Sequence, residues 1–222
     1  MGIPVAIIGE SGSGKTYSIK NLDPAKVGVL LCEKNRLPFR KPFSTYKVRN
    51  MSKTENGKQK TVRQSEVIQN ILRHPKDPKK IYIIDDSQYI MANEFFDRAG
   101  EQGYQKFTDI GCNFRDLVHL VNNELQDDVI VYFLHHPETD QATGRQKAKT
   151  IGRMLDEKLT LEGCFDIVLF ARTDGHEHWF QTQSDGTNTA KSPEDMFPER
   201  IPNDLAMVDA TIREYYGMNK ED

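Results

Sequence analysis

The sequence predicts an α/β fold: a mostly parallel central sheet flanked by helices, ending in a C-terminal β-hairpin and helix. Three observations carry that prediction. Five apolar runs bounded by turn residues, Ile3 to Gly9, Val27 to Cys32, Ile81 to Asp85, Val129 to His135 and Phe165 to Ala171, are continuous, as strands buried on both faces require. Segments of helical spacing separate them, and alternation of strand and helix is the pattern of parallel sheets. The chain has 222 residues, 37% of them hydrophobic, enough for one well-buried domain and too few for two large ones.

In chain order, the first strand is followed by a helix over Lys15 to Asn21 and then by the second strand. Asn35 to Gly57 has no clear periodicity and carries Pro38 and Pro42, so it is expected to be a loop or short hairpin projecting from the core. Helices are expected over Gln64 to Arg73, Gln88 to Ala99, Lys106 to Glu124 and Ile151 to Glu162, interleaved with the remaining strands. Beyond the fifth strand, His178 to Gln183 and Asn188 to Lys191 flank Ser184-Asp185-Gly186, which reads as a hairpin with glycine in its turn. Trp179, Phe180 and Phe197 are its packing, and His176 and His178 lack a third metal ligand of suitable spacing and read as surface residues. The last helix is expected over Asp204 to Tyr216 with Asn203 as its N-cap.

Composition narrows the function. No apolar run approaches the ~18 residues of a membrane span, and the N-terminus lacks the basic region and cleavage site of a signal peptide. Cys32, Cys112 and Cys164 are odd in number and show no CxxC spacing, so neither a disulfide framework nor a structural zinc site is expected, and a reducing cytoplasm fits. The net charge of −3 conceals segregation. Lys34 to Lys80 holds 14 Lys+Arg against three acids, a net +11, which leaves −14 on the rest. The chain is expected to form one domain over 1–222, with a basic insertion at about 34–80 and a hairpin plus helix at about 176–222.

Gly9-Glu10-Ser11-Gly12-Ser13-Gly14-Lys15-Thr16 matches GxxxxGK[ST] and lies between an apolar strand and an expected helix start, the context this phosphate-binding motif needs. Its glycines let backbone N–H groups curl around a phosphate, and a helix start would add its positive dipole end. Lys15 is the expected bridge between β- and γ-phosphates, the Thr16 hydroxyl the expected Mg²⁺ ligand, and Tyr17 borders the same pocket. Ile81-Tyr82-Ile83-Ile84-Asp85 is an apolar strand ending in a carboxylate, the Walker B pattern, so Asp85 is expected to hold Mg²⁺ through water. A strand at Val129 to His135 is expected to lie between these two.

With the glycine loop, Glu33 after the second strand, Asp85, the strand end at His135-His136, and Lys147 and Lys149 in place, the chain resembles the RecA-like P-loop ATPases, and among them the small phage-encoded ATPases of single-strand annealing and recombination. The resemblance runs from Pro4 to about Ala171. It implies hydrolysis of ATP with Mg²⁺, single-stranded DNA as partner, assembly into a homo-oligomer, and phage or host recombination proteins as further partners. It also implies that Glu33 activates the attacking water, with Asp86 the competitor, since AAA+ enzymes place their base directly after the Walker B aspartate. His135 or His136 stands where such enzymes carry a polar γ-phosphate sensor, commonly glutamine. Lys147 and Lys149 resemble the KxK pair that reaches a neighbouring subunit's ATP, and Arg153 is a further inter-subunit candidate.

The basic segment interleaves Phe39, Phe43 and Tyr46 with Arg36, Arg40, Lys41, Lys47 and Arg49, cations for phosphates and rings for bases, which is what single-stranded nucleic acid requires. Two other readings stay open: a nucleotide-switched protein-binding module with slow hydrolysis, and a nucleoside or nucleotide kinase, for which only scattered Arg145 and Arg153 would serve as a lid.

Overall fold

The computed structural model of the chain describes residues 1–55, 57–152 and 159–218, the side chains at 58 and 59 excepted. Among them are twelve strands: β1 Ile3–Gly9, β2 Val27–Leu31, β3 Ser44–Lys47, β4 Met51–Glu55, β5 Lys58–Val62, β6 Ile81–Asp85, β7 Ile130–His135, β8 Pro137–Thr139, β9 Gln146–Ala148, β10 Ile167–Thr173, β11 His178–Gln181 and β12 Arg200–Pro202. The helices are α1 Gln64–Arg73, α2 Gln88–Asp97, α3 Gln105–Glu124 and α4 Leu205–Tyr215.

Eight strands form one sheet in the order β12-β11-β10-β1-β7-β6-β2-β3. From β10 to β3 every neighbouring pair is parallel, while β11 and β12 join antiparallel at the edge. The expected position of β7, between the glycine-loop strand β1 and the Asp85 strand β6, is observed. The two-residue repeat of a strand sends alternate side chains to opposite faces, and here both faces are apolar. Ala6, Ile8, Ile84, Val131, Phe133 and Phe170 pack with Ile68 of α1, Met91 of α2 and Phe114 of α3. Val5, Ile7, Ile83, Tyr132, Leu134 and Leu169 pack with Ile19 and with Leu205, Val208 and Ile212 of α4. Continuous apolar runs are therefore what such strands need.

Four expectations are corrected. The segment after the glycine loop is a five-residue 3-10 turn, Tyr17–Asn21, instead of an α-helix from Lys15. Ser18 Oγ donates to the Lys15 carbonyl at 2.6 Å, and Pro24 disfavours helical geometry at Asp23. Asp23 instead caps the next short turn by accepting from Ala25 N at 3.0 Å. The chain thus has too few residues between Thr16 and Pro24 for a propagating helix.

Of the expected helix over Ile151 to Glu162, residues 153–158 lie outside the described residues. Residues 151–152 and 159–160 are not helical, and Leu161–Cys164 form a 3-10 turn. The partner of β11 is β12, not Asn188 to Lys191. Gly186 does make the turn, with φ +92°, but the chain leaving it bridges to Gln146 and Val168. Finally, the N-cap of α4 is Asp204, whose side chain accepts from Ala206 N at 2.9 Å.

The long segment before α1 is more ordered than its composition suggests. It supplies β3, parallel to β2, and then a separate antiparallel ribbon, β4–β5. Among the described residues no helix is long and apolar enough to cross a membrane.

Candidate functional site

Ligands of open α/β sheets bind outside the carboxyl ends of the strands, where the chain leaves neighbouring strands in opposite directions. β1 is at that point, with β10 on one side and β7 on the other. Its carboxyl end runs into the glycine loop. Gly12 and Gly14 hold φ of +83° and +91°, which side chains rarely adopt. Gly14 is needed twice over, because a Cβ there would meet Asn203 Nδ2 and His178 Nδ1 at 3.1 Å.

Lys15 is buried and donates to the carbonyls of Gly9 at 2.5 Å and Glu10 at 2.9 Å. Burial lowers its pKa to about 8, so a negative partner would be needed to restore the ordinary basicity of this ammonium. The Thr16 hydroxyl donates to Asp85 Oδ1 at 2.9 Å. This single bond joins the glycine loop to the end of β6 across the intervening β7. Asp85 is 1% exposed and its Oδ2 is buried without a hydrogen-bond partner. Burial, and then repulsion from Asp86, raise its pKa.

Asp86 turns the chain out of β6 with φ +60°, which directs its carboxylate to Lys34 Nζ at 3.1 Å and His136 Nε2 at 3.3 Å. Burial opposes ionisation of Asp86, but hydrogen bonds from His136 and Lys34 outweigh it and hold the pKa below the ordinary value. Burial likewise works against the Lys34 ammonium, and Asp85 and Asp86 overcome it, so its pKa rises.

A cavity of about 530 Å³ is lined by Gly12, Lys15, Thr16, Tyr17, Lys34, Pro38, His136 and His178. Tyr17 is half exposed and meets Phe39 edge-on at 6.0 Å. Phe39 in turn meets Phe43 at 6.0 Å.

Several of the expected site residues lie elsewhere. His135 does not face the cavity. It is 2% exposed; its Nε2 donates to the Lys149 carbonyl at 2.7 Å and its Nδ1 lies 2.8 Å from Ser87 Oγ. Since a carbonyl only accepts, Nε2 carries the proton and Nδ1 accepts from Ser87. His136 is therefore the member of the pair that lines the cavity.

Glu33 is exposed and does not line the cavity; its carbonyl accepts from Arg49 Nη2 at 2.6 Å. Lys147 is held within its own β8–β9 hairpin by Glu138 at 3.4 Å and Asp140 at 3.8 Å. Lys149 is exposed, and Arg153 lies outside the described residues. Glu10 and Ser11 are exposed at the loop's outer edge, whereas Ser13 is buried and its hydroxyl has no hydrogen-bond partner.

The basic segment divides. Lys41 donates to the carbonyls of Lys20 and Leu22, both at 2.7 Å, and so closes the end of the 3-10 turn. Arg49 donates to the carbonyls of Leu31, Cys32, Val48 and Glu33. Both cations are thus engaged with main-chain carbonyls, and Phe43 is buried at 7% exposure with Phe39 and Tyr46 half-buried. Arg36, Arg40 and Lys47 remain exposed.

Two contributors had no sequence signature. His178 Nδ1 and Asn203 Nδ2 both reach the Ser13 carbonyl, at 3.1 and 3.3 Å, so the C-terminal extension braces the glycine loop. His178, read as a surface histidine, and Asn203, read as a cap, are both corrected by this geometry. Among the described residues no group of three or more His, Cys, Asp or Glu is placed to hold a metal. No protein-family model matches the chain, and no curated protein matches it.

Proposed function

We propose that the chain is a RecA-like P-loop ATPase of the phage type, which binds Mg·ATP at the mouth of β1, β6 and β7, acts on single-stranded DNA in recombination or annealing, and works as a homo-oligomer. The observation that carries this reading is the 2.9 Å bond from Thr16 to Asp85, because it sets a hydroxyl and a carboxylate side by side against a glycine loop that carries Lys15. The intervening strand β7 agrees with the RecA-like order.

The residues fit Mg²⁺: Asp85 Oδ2 is a buried oxygen without a hydrogen-bond partner, and hydroxyl plus carboxylate is a hard-oxygen donor set. Thr16 would hold the ion directly and Asp85 through water. When bound, the ion neutralises charge that develops on the phosphate oxygens.

Backbone N–H groups of Gly12 to Thr16 would hold the phosphates, and Lys15 would move from the Gly9 and Glu10 carbonyls to the β- and γ-phosphates. The five-residue turn behind the loop contributes little dipole, so the loop amides and Lys15 carry the anion. Asp86 replaces Glu33 as the preferred water-orienting group, since it lies among cavity residues whereas Glu33 is exposed. Its depressed pKa keeps it ionised, so it would accept a hydrogen bond from water throughout the neutral range. Lys34 and His136 would then report the γ-phosphate. Tyr17 and Pro38 line the same cavity and would face the nucleoside.

A switch with slow turnover is favoured by one observation, the pairing of Asp86 with Lys34 and His136, which weakens it as a base. Calorimetry with Mg·ATP tests the central claim. The chain is expected to bind, and Lys15→Ala to lose binding; no heat from the unaltered chain, or full binding by the variant, would overturn it. Turnover with and without single-stranded DNA then separates the enzyme from the switch, since only the enzyme is expected to be strongly stimulated.

A further inference from the structure

The β4–β5 ribbon stands apart from the main sheet. All five residues of β4 are exposed, and the register sets Lys53 opposite Lys60, with Ser52 opposite Thr61 and Glu55 opposite Lys58. Like charges directly opposed destabilise a pair of strands, and a lone two-stranded ribbon is marginal at best. Among the described residues the Lys60 ammonium is offset only by Glu55, at 3.9 Å. Lys53 makes no ion pair among the described residues. Apolar residues are confined to the root, Met51 opposite Val62, so nothing along the ribbon suits an apolar protein surface. Successive pairs face opposite sides, so one face carries the Lys53–Lys60 pair and the other the Ser52–Thr61 pair, and cations and hydroxyls are both groups that grip phosphate oxygens.

Its roots clamp the segment that leads to Lys34, a residue of the cavity wall. Arg49, just before β4, donates to the carbonyls of Leu31, Cys32 and Glu33 at 2.9, 2.8 and 2.6 Å. Gln64, just after β5, is buried and donates to the Cys32 carbonyl at 2.8 Å. The legs are tied to each other where Asn50 Oδ1 accepts from Gln64 N at 2.5 Å. The next residue along from the clamped carbonyls is Lys34, the partner of Asp86. A second tie runs from Arg63 to Glu94 of α2 at 3.2 Å, the helix that opens just beyond Asp86.

We infer that the β4–β5 ribbon is a nucleic-acid-binding element that takes a phosphate backbone on Lys53 and Lys60, and that Arg49 and Gln64 couple its occupancy to the Lys34–Asp86 pair. The coupling rests on the nucleotide reading above; the binding does not.

The test is fluorescence anisotropy of a labelled oligothymidine without nucleotide, from about 50 to about 200 mM salt. The unaltered chain is expected to bind with a steep salt dependence. The double variant Lys53→Gln, Lys60→Gln is expected to bind at least about fivefold more weakly at low salt and to have a log–log slope shallower by about 1.4, from two phosphates at about 0.7 each. Lys53→Arg, Lys60→Arg should restore both. Equal binding by the Gln double variant, or competition by polyglutamate as effective as by unlabelled oligothymidine, would overturn the assignment; a duplex arm decides whether one strand or two is preferred. In the turnover assay the Gln double variant is expected to keep its basal ATP hydrolysis and lose stimulation by oligothymidine. Retained stimulation would overturn the coupling alone. No turnover by any form would overturn the ATPase reading and the coupling together, with anisotropy still deciding the ribbon.

Discussion

His135 offers the sharpest test of how the site is held together. Its imidazole is buried between Ser87, which follows the Asp85-Asp86 pair, and the Lys149 carbonyl beyond β9, so the end of β7 fastens the segment after β9 to the turn after β6. Burial lowers its pKa from 6.5 to about 4. A base whose folded pKa is depressed contributes its full stability above the unfolded pKa, and that contribution shrinks as pH falls from about 6.5 towards about 4, because the unfolded chain takes up a proton that the folded chain refuses. From about pH 7.5 to about pH 5 the linkage comes to about 2 kcal/mol.

Urea unfolding followed through Trp179, the one tryptophan, at both pH values measures it. His135→Gln, which does not titrate, is expected to be less stable at neutral pH but to lose about 2 kcal/mol less on acidification. Asp85 and Asp86 titrate in both proteins and drop out of the difference. Equal acid losses in the two proteins would refute the buried neutral imidazole and return His135 to the list of cavity-facing groups.

Asp86→Asn is expected to slow ATP turnover by about 100-fold or more while leaving nucleotide affinity intact, and Glu33→Gln to slow it by less than about threefold; steady-state kinetics with the reverse order would restore Glu33 as the water-orienting group. Arg49→Met removes four bonds to main-chain carbonyls and is expected to cost about 2 to 3 kcal/mol in urea titration, a loss far larger than an exposed DNA-contacting arginine would give. If assembly completes the site, turnover per chain should rise with protein concentration, and Lys149→Ala should flatten that rise. A concentration-independent rate in the unaltered protein would remove the inter-subunit role.

The strands that could be read from the sequence were those buried on both faces. β1 and β6 lie where their apolar runs lie, and α1 keeps the bounds its periodicity suggests. Edge strands gave weaker signals. β3 is Ser-Thr-Tyr-Lys, and β12 is Arg-Ile-Pro with one apolar side chain. β4 and β5 have almost none, and their one cue is Asn56-Gly57, the dipeptide that favours tight hairpin turns.

The site divides in the same way. Lys15 and Thr16 belong to a contiguous motif and Asp85 ends an apolar strand, so local pattern suffices for them. Lys34, His178 and Asn203 are placed by the sheet: His178 and Asn203 meet Ser13 across 165 and 190 residues of chain, and no periodicity encodes a meeting of that range. The same applies to the carbonyl partners of Lys41 and Arg49, which no local pattern encodes.

The bracing of Ser13 by His178 and Asn203 has a bearing on biosynthesis. His178 and Asn203 are translated 165 and 190 residues after Ser13, and β10, the neighbour of β1, scarcely earlier. If Mg·ATP binds as proposed, competence to bind it is therefore expected to emerge late in synthesis, as His178 and Asn203 close on Ser13.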